Sequence, residues 1–199
     1  MPIETTVERA DSTWAPDVID AIRGHYTGSR GPPPGKKMVW RAFYGNSEPF
    51  AYLGIGEPSY KLSPRRRLGI EDARPLPRTV NNFIFRRIDE GAVPVRGSEI
   101  LRAWKTIAAI DWADRYGWQP VHWETMILPD ATASPVAGAA YRCAGWRSLG
   151  WTTGRGARRP PGSTHGARIW GKTAPKLVMY LGPLERLAVS EISSLKMRP

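Results

Sequence analysis

Residues 98–116 form the clearest helical pattern in this chain, and short apolar runs cut by glycine and proline stand on both sides of it. Ser98 is placed to cap such a helix and Gly117 to end it, while Ile100, Trp104, Ile107, Ala108 and Trp112 fall on one face. A helix with one apolar stripe needs a second layer to cover that stripe. The flanking runs supply it as strands over 38–45, 49–60, 78–88 and 121–128. A further strand within 148–159 enters a basic loop, and a last one covers 176–184. Two short helices complete the pattern. One spans 16–23, with Pro16 in the first turn and Val18, Ile19 and Ile22 on one stripe, and the other spans 138–146. The order is helix, three strands, helix, strand, short helix, two strands. That predicts a mixed α/β protein with one mostly antiparallel sheet flanked by helices.

A length of 199 residues predicts a single domain, with 1–15 and 186–199 as peripheral tails. Residues 1–13 read as a loose start, and 27–37, with three glycines and three prolines, as a loop of the kind that covers ligands. Gly54 and Gly56 inside a strand point to a bulge or a close backbone approach. The lone cysteine, Cys143, rules out an internal disulfide and a Cys-rich zinc site, and reads as a small packed residue. The polar N-terminus carries no secretory leader pattern, and no apolar run approaches the roughly 20 residues of a membrane span. A cytoplasmic location without a membrane partner is the expectation.

Charge narrows the partner. The net charge is +11, and the 54 residues from Ala131 to Leu184 contain no carboxylate but eight Arg or Lys. A field of one sign attracts polyanions, of which nucleic acid is the commonest. Arg155, Arg158 and Arg159, set among Gly154 and Gly156, are the best candidates for phosphate contacts. Arg65, Arg66 and Arg67 are a second set.

Four pieces, in order, resemble a known family. They are His25-Tyr26 before a Gly-rich loop, Val80-Asn81-Asn82-Phe83-Ile84-Phe85, and Tyr116-Gly117-Trp118-Gln119-Pro120-Val121 leading to Glu124-Thr125. The fourth is Tyr141-Arg142-Cys143-Ala144-Gly145-Trp146 with Leu149-Gly150-Trp151-Thr152-Thr153-Gly154-Arg155-Gly156. Over roughly residues 20–184 the chain is similar to the domain family of the Druantia anti-phage protein DruA and to the related phage Mom-type DNA modification proteins. The resemblance implies an N-acetyltransferase-like (GNAT) fold in an infected bacterial host. It implies transfer of a carbamoylmethyl, glycinamide-type group to the N6 amine of adenine in double-stranded DNA, which protects that DNA from restriction. The rival reading is a non-catalytic DNA-binding subunit of a defence or mobile-element system.

An adenine amine is buried in the duplex stack, so an enzyme acting on it must extrude the base. Tyr26, Tyr141 and Trp146 are candidates for stacking on the base, and Asn81 and Asn82 for its hydrogen-bonding edge. His25, Tyr26, Glu124 and Tyr141 are the catalytic candidates, with Asp130 as the fallback acid. His25 could instead meet a helix dipole, and Glu124 could pair with Arg86 or Arg142. The turn at Arg96, Gly97 and Ser98 precedes a helix N-terminus and would suit an anionic donor. The donor stays open between glycyl-tRNA and an acyl-coenzyme A-like thioester. If a metal takes part, His25 is its only candidate ligand.

Overall fold

A computed structural model describes residues 5–25, 31–45, 48–58, 62–68, 78–128, 137–158, 169–172 and 174–182. Among the described residues nine strands, three α-helices and one 3-10 turn follow one another. They are β1 (Thr5–Arg9), α1 (Pro16–Arg23), β2 (Lys37–Tyr44), β3 (Ala51–Gly56), the 3-10 turn Ser63–Leu68, β4 (Thr79–Arg87) and α2 (Gly97–Tyr116). After these come β5 (His122–Ile127), α3 (Ala139–Cys143), β6 (Arg147–Trp151), β7 (Arg155–Arg158), β8 (Ile169–Lys172) and β9 (Leu177–Leu181). Seven strands form one open sheet in the order β1-β2-β3-β4-β5-β9-β6, and β7 pairs with β8 in a separate ribbon. Every neighbouring pair of the large sheet is antiparallel except β4–β5, which is parallel. A parallel pair needs a long crossover, and α2 lies in that connection.

The two faces of the sheet are covered differently. Ile100, Leu101, Trp104, Ala108 and Trp112 of α2 are buried against Trp40, Leu53, Val80 and Trp123. Trp40, Trp104 and Trp123 meet edge to face at 5.8 and 5.7 Å, so aromatic area supplies much of this core. Helix α1 covers part of the other face, packing Val18, Ala21 and Ile22 on Val39, Tyr52 and Ile84. A bidentate bond from Arg41 to Asp17, at 2.7 and 2.9 Å, helps hold α1 to β2. The 3-10 turn covers the far part of the same face, where Leu62 and Leu68 meet Leu149, Val178 and Tyr180.

Strand β4 changes its alternation midway. Asn82 pairs with Ile55 and Ile84 with Gly54, so Phe83 is an extra residue in the ladder. Such a bulge puts two successive side chains on one face. Phe83 and Ile84 accordingly both point to the α1 face, whereas Phe85 returns to the α2 face. Gly54 makes this possible. A Cβ there would lie 2.7 Å from Phe83 Cζ and 2.9 Å from Ile84 Cγ2. The pairing of β4 with β5 runs only from Thr79 to Asn82, and beyond that point the two strands are not paired with each other.

Several expectations change, among them that of a packed Cys143, which is exposed. Residues 5–9 are the edge strand β1, antiparallel to β2, and not a loose start. The segment 63–68, which carries Arg65, Arg66 and Arg67, is a 3-10 turn. Residues 155–158 are strand β7, paired with β8, and not a basic loop. Helix α2 begins at Gly97, and the Glu99 carboxylate accepts the Arg96 backbone N–H at 2.9 Å in place of a Ser98 cap.

The bulge makes a stability prediction. Gly54→Ala should destabilise the protein by about 1–3 kcal/mol in urea unfolding, the usual cost of overpacking. A Phe83→Leu background should recover part of that destabilisation. Equal costs in both backgrounds would show that the Phe83 ring does not set the need for glycine.

Candidate functional site

Where β4 and β5 part, the α1 face holds a cleft of about 140 Å³. Ile22, His25, Pro33, Asn81, Asn82, Phe83, Ile84 and Met126 line it. A cavity of roughly 150 Å³ accepts a benzene ring, so this cleft suits one six-membered ring and leaves the rest of a larger base outside. Its floor lies near bare backbone, because a Cβ on Gly56 would sit 3.1 Å from Pro33 Cγ and 3.5 Å from Phe83 Cδ1.

Two polar groups in the cleft are unusual. Asn81 is 9% exposed, and its Oδ1 has no hydrogen-bond partner among the described residues. A buried acceptor left unpaired costs about 1–3 kcal/mol. His25 is buried at the exit of α1, and its pKa is pushed down to about 4. Burial is the main cause, and the nearby Arg86 guanidinium adds to it, while a hydrogen bond with the Phe85 backbone opposes it. The imidazole is therefore neutral at pH 7. The C-terminal carbonyls of α1 are met by Arg86, which donates to Asp20 O at 3.2 Å and Ala21 O at 3.1 Å. It is Arg86, and not His25, that answers the helix dipole.

Glu124 does not join His25. Arg65 donates through Nε to Glu124 Oε2 at 2.7 Å and through Nη2 to Oε1 at 2.5 Å, and both residues are about 1% exposed. The partner is Arg65 rather than Arg86 or Arg142. This also corrects the phosphate role expected of Arg65, whose guanidinium is turned inward on a carboxylate. Of Arg66 and Arg67 only the backbone, in the 3-10 turn, is described.

Tyr141 is on the opposite face of the sheet from His25. Its hydroxyl donates to Asn82 Oδ1 at 2.5 Å, and its ring meets Phe85 and Trp146 edge to face at 6.0 and 5.1 Å. Asn82 is buried and engaged throughout, with Nδ2 donating to Gly54 O at 2.8 Å and Ile84 O at 2.7 Å. Its carboxamide ties the fold together, which leaves Asn81 as the remaining candidate of the pair for a base edge. Trp146, 4% exposed, is a core residue of the α2 face and not a stacking platform.

At the turn before α2, Arg96 is exposed and Ser98 buried. Gly97 is hemmed in, since a Cβ there would lie 3.2 Å from both Ala140 Cβ and Phe85 Cζ. Tyr26, Asp130 and Arg159 lie outside the described residues, and of Arg155 and Arg158 only the backbone, in β7, is described. Among the described residues no three His, Cys, Asp or Glu converge on a point where they could hold a metal ion. No described helix is long and apolar enough to cross a membrane. Phe83, Met126, Pro33 and Arg86 were not foreseen as parts of the site. Their apolar or paired character is indistinguishable from core until the strands are in register.

No family model matches the chain, and no curated protein matches it by sequence.

Two measurements separate the buried groups. Glu124→Gln should cost about 3–5 kcal/mol in urea unfolding, because it leaves the Arg65 charge buried without its counter-ion. A small effect would show that this pair is not structural. For His25 the folded pKa, about 4, lies below the ordinary value of 6.5. Between those values the unfolded chain binds a proton that the folded chain refuses. Stability is therefore complete above pH 6.5 and falls as pH drops toward 4, by up to about 3 kcal/mol. His25→Asn should remove that part of the pH dependence, and an unchanged pH profile would contradict the assignment.

Proposed function

We propose that the chain is a transferase of N-acetyltransferase-like fold that places a small acyl-derived group on the N6 amine of adenine in DNA. The observation that carries the reading is that Asn81 Oδ1, without a hydrogen-bond partner among the described residues, lines the same cleft of one-ring size as a neutral His25. An exocyclic amine is the donor that such an acceptor lacks, and asparagine is the side chain best matched to the adenine edge. The net charge of +11 supports a polyanionic partner. The parallel pair β4–β5 inside an otherwise antiparallel sheet of described strands supports the fold assignment.

In this mechanism the extruded base enters edge first. Asn81 Oδ1 accepts one N6–H and orients the nitrogen lone pair outward. As nitrogen bonds to the acyl carbon, the imidazole of His25 takes the second amine proton, and the donor's oxygen or sulfur leaves with the electron pair of the broken bond. A neutral imidazole can accept that proton, whereas a protonated one cannot. The donor is glycyl-tRNA or an acyl-coenzyme A-like thioester. A protective role against restriction in an infected bacterium belongs to the same proposal.

One observation favours the rival, a DNA-binding subunit without catalysis. Glu124 and Tyr141 both bond inside the protein, which leaves His25 as the one titratable side chain among the described lining residues. Mass spectrometry of nucleosides from DNA co-expressed with the protein decides between the two readings. The expected result is a modified deoxyadenosine with the intact chain, reduced at least about 100-fold by His25→Asn and at least about 10-fold by Asn81→Ala, both in line with loss of proton transfer or positioning. Unmodified DNA from the intact chain would leave the binding subunit as the reading.

A further inference from the structure

A second depression, of about 330 Å³, lies at the end of the sheet where β1 stops and β2 begins. Arg9, Asp11 and Trp14 line it from one side, and Lys37, Arg115 and Tyr116 from the other. The cations outnumber the carboxylate. Among the described residues no Asp or Glu forms an ion pair with Arg9, Lys37 or Arg115, although Asp11 faces the same space. Tyr116 is held rigidly. Its hydroxyl accepts the Lys37 backbone N–H at 3.1 Å and donates to Lys37 O at 3.0 Å. Lys36 Nζ and the Arg115 guanidinium lie 5.4 and 5.7 Å from its ring centre. Two cations on one aromatic ring form a concentrated positive edge.

Trp14 supplies what a purely electrostatic groove lacks. It is 63% exposed, the most exposed of the four large apolar side chains at the described surface. Of those four it alone lines either cavity. Its backbone N–H donates to Ser12 Oγ at 3.1 Å, and the far edge of its ring is close enough to Gly31 that a Cβ there would be 3.4 Å away. The indole is thus positioned, yet most of its surface stays in water. Exposed aromatics beside cations without carboxylate partners form the pattern that grips unpaired nucleotides, with the base on the ring and the phosphates on the cations.

The groove also adjoins the cleft. Pro33 lines the cleft and Gly35 the groove. Two residues apart, their Cα atoms are at most about 7 Å from each other. The two depressions thus meet along the segment 33–35.

We infer that this groove holds an unpaired nucleotide of the same strand whose neighbouring base enters the cleft, with the base on Trp14 and phosphates on Arg9, Lys37 and Arg115. The inference rests on nucleic acid being the partner, and not on the transfer chemistry. A phosphate-only interaction would bind any polyanion alike. Stacking makes the groove prefer a strand with exposed bases.

The test is fluorescence anisotropy of the full chain with labelled single-stranded oligonucleotides, with heparin as a base-free polyanion. Trp14→Ala should weaken oligonucleotide binding roughly 10- to 100-fold and leave heparin binding within about two-fold. Arg9→Gln with Arg115→Gln should weaken both and lower the salt slope by about 0.7 for each phosphate that is no longer neutralised. Equal affinity of intact and Trp14→Ala chains for oligonucleotide would overturn the groove and leave a nucleic-acid partner standing. So would an equal weakening on heparin and oligonucleotide. An intact chain that binds no oligonucleotide would overturn both readings. Because Trp14 is mostly exposed, its replacement should keep the thermal unfolding midpoint within about 2 °C, the shift expected of a surface substitution, which separates impaired binding from impaired folding.

Discussion

One carboxamide holds the centre of this protein. Asn82 lies where β4 stops pairing with β5, and it bonds to several elements at once. Its Nδ2 closes on Gly54 O of β3 and Ile84 O of its own strand, its Oδ1 receives Tyr141 from α3, and its backbone carbonyl receives Thr125 Oγ1 of β5 at 2.9 Å. A bulge leaves ladder groups without their regular partners, and a buried backbone carbonyl cannot be left bare. Asparagine is suited to the task because it offers two donors and an acceptor in one plane. The bulge, the parting of the parallel strands and the cleft beneath it all depend on that set of bonds.

The same interaction explains why neighbouring residues serve opposite purposes. Asn81 and Asn82 are identical in sequence terms, but alternation sends them to opposite faces. Asn82 meets α3 and is satisfied, while Asn81 meets the cleft and its Oδ1 has no partner among the described residues. The bulge then keeps Phe83 and Ile84 together on the α1 face, where Phe83 forms the apolar floor over Gly54. Regular alternation from Asn82 would turn Ile84 to the α2 face and take it from the lining of the cleft.

Much of the fold was legible because periodicity reports burial. Helix α1 spans the residues expected of it, and α2 and the strands β2, β4, β5 and β9 lie within a few residues of their expected limits. Gly54 signalled the close approach it makes. What stayed hidden depended on long-range pairing. The alternation of Thr5–Arg9 is too polar to mark a strand, since only Val7 is buried, and the segment gains its form from the edge of β2. The ribbon of β7 and β8 joins segments separated in the chain, and its β7 sequence, Arg-Gly-Ala-Arg, has no strand signature.

Legibility of the site failed for a related reason. Composition marks Arg65, Arg66 and Arg67 as a run of equal charges, yet one of them is buried on Glu124 because the 3-10 turn aims it inward. A charge run reports a field only when its members face water. Buried titratable groups are equally ambiguous in sequence. Glu124 keeps its place through a bidentate counter-ion, whereas His25 is driven to the neutral form by burial first and by the neighbouring cation Arg86 second. Burial of an ionisable group beside a charge of the same sign is unfavourable for the fold, because it narrows the pH range in which the native state is stable. A merely structural position is better filled by a residue without that penalty. The coincidence of this cost with the unpaired acceptor of Asn81, in one small cleft, is what distinguishes His25 from the other buried polar groups described in the chain.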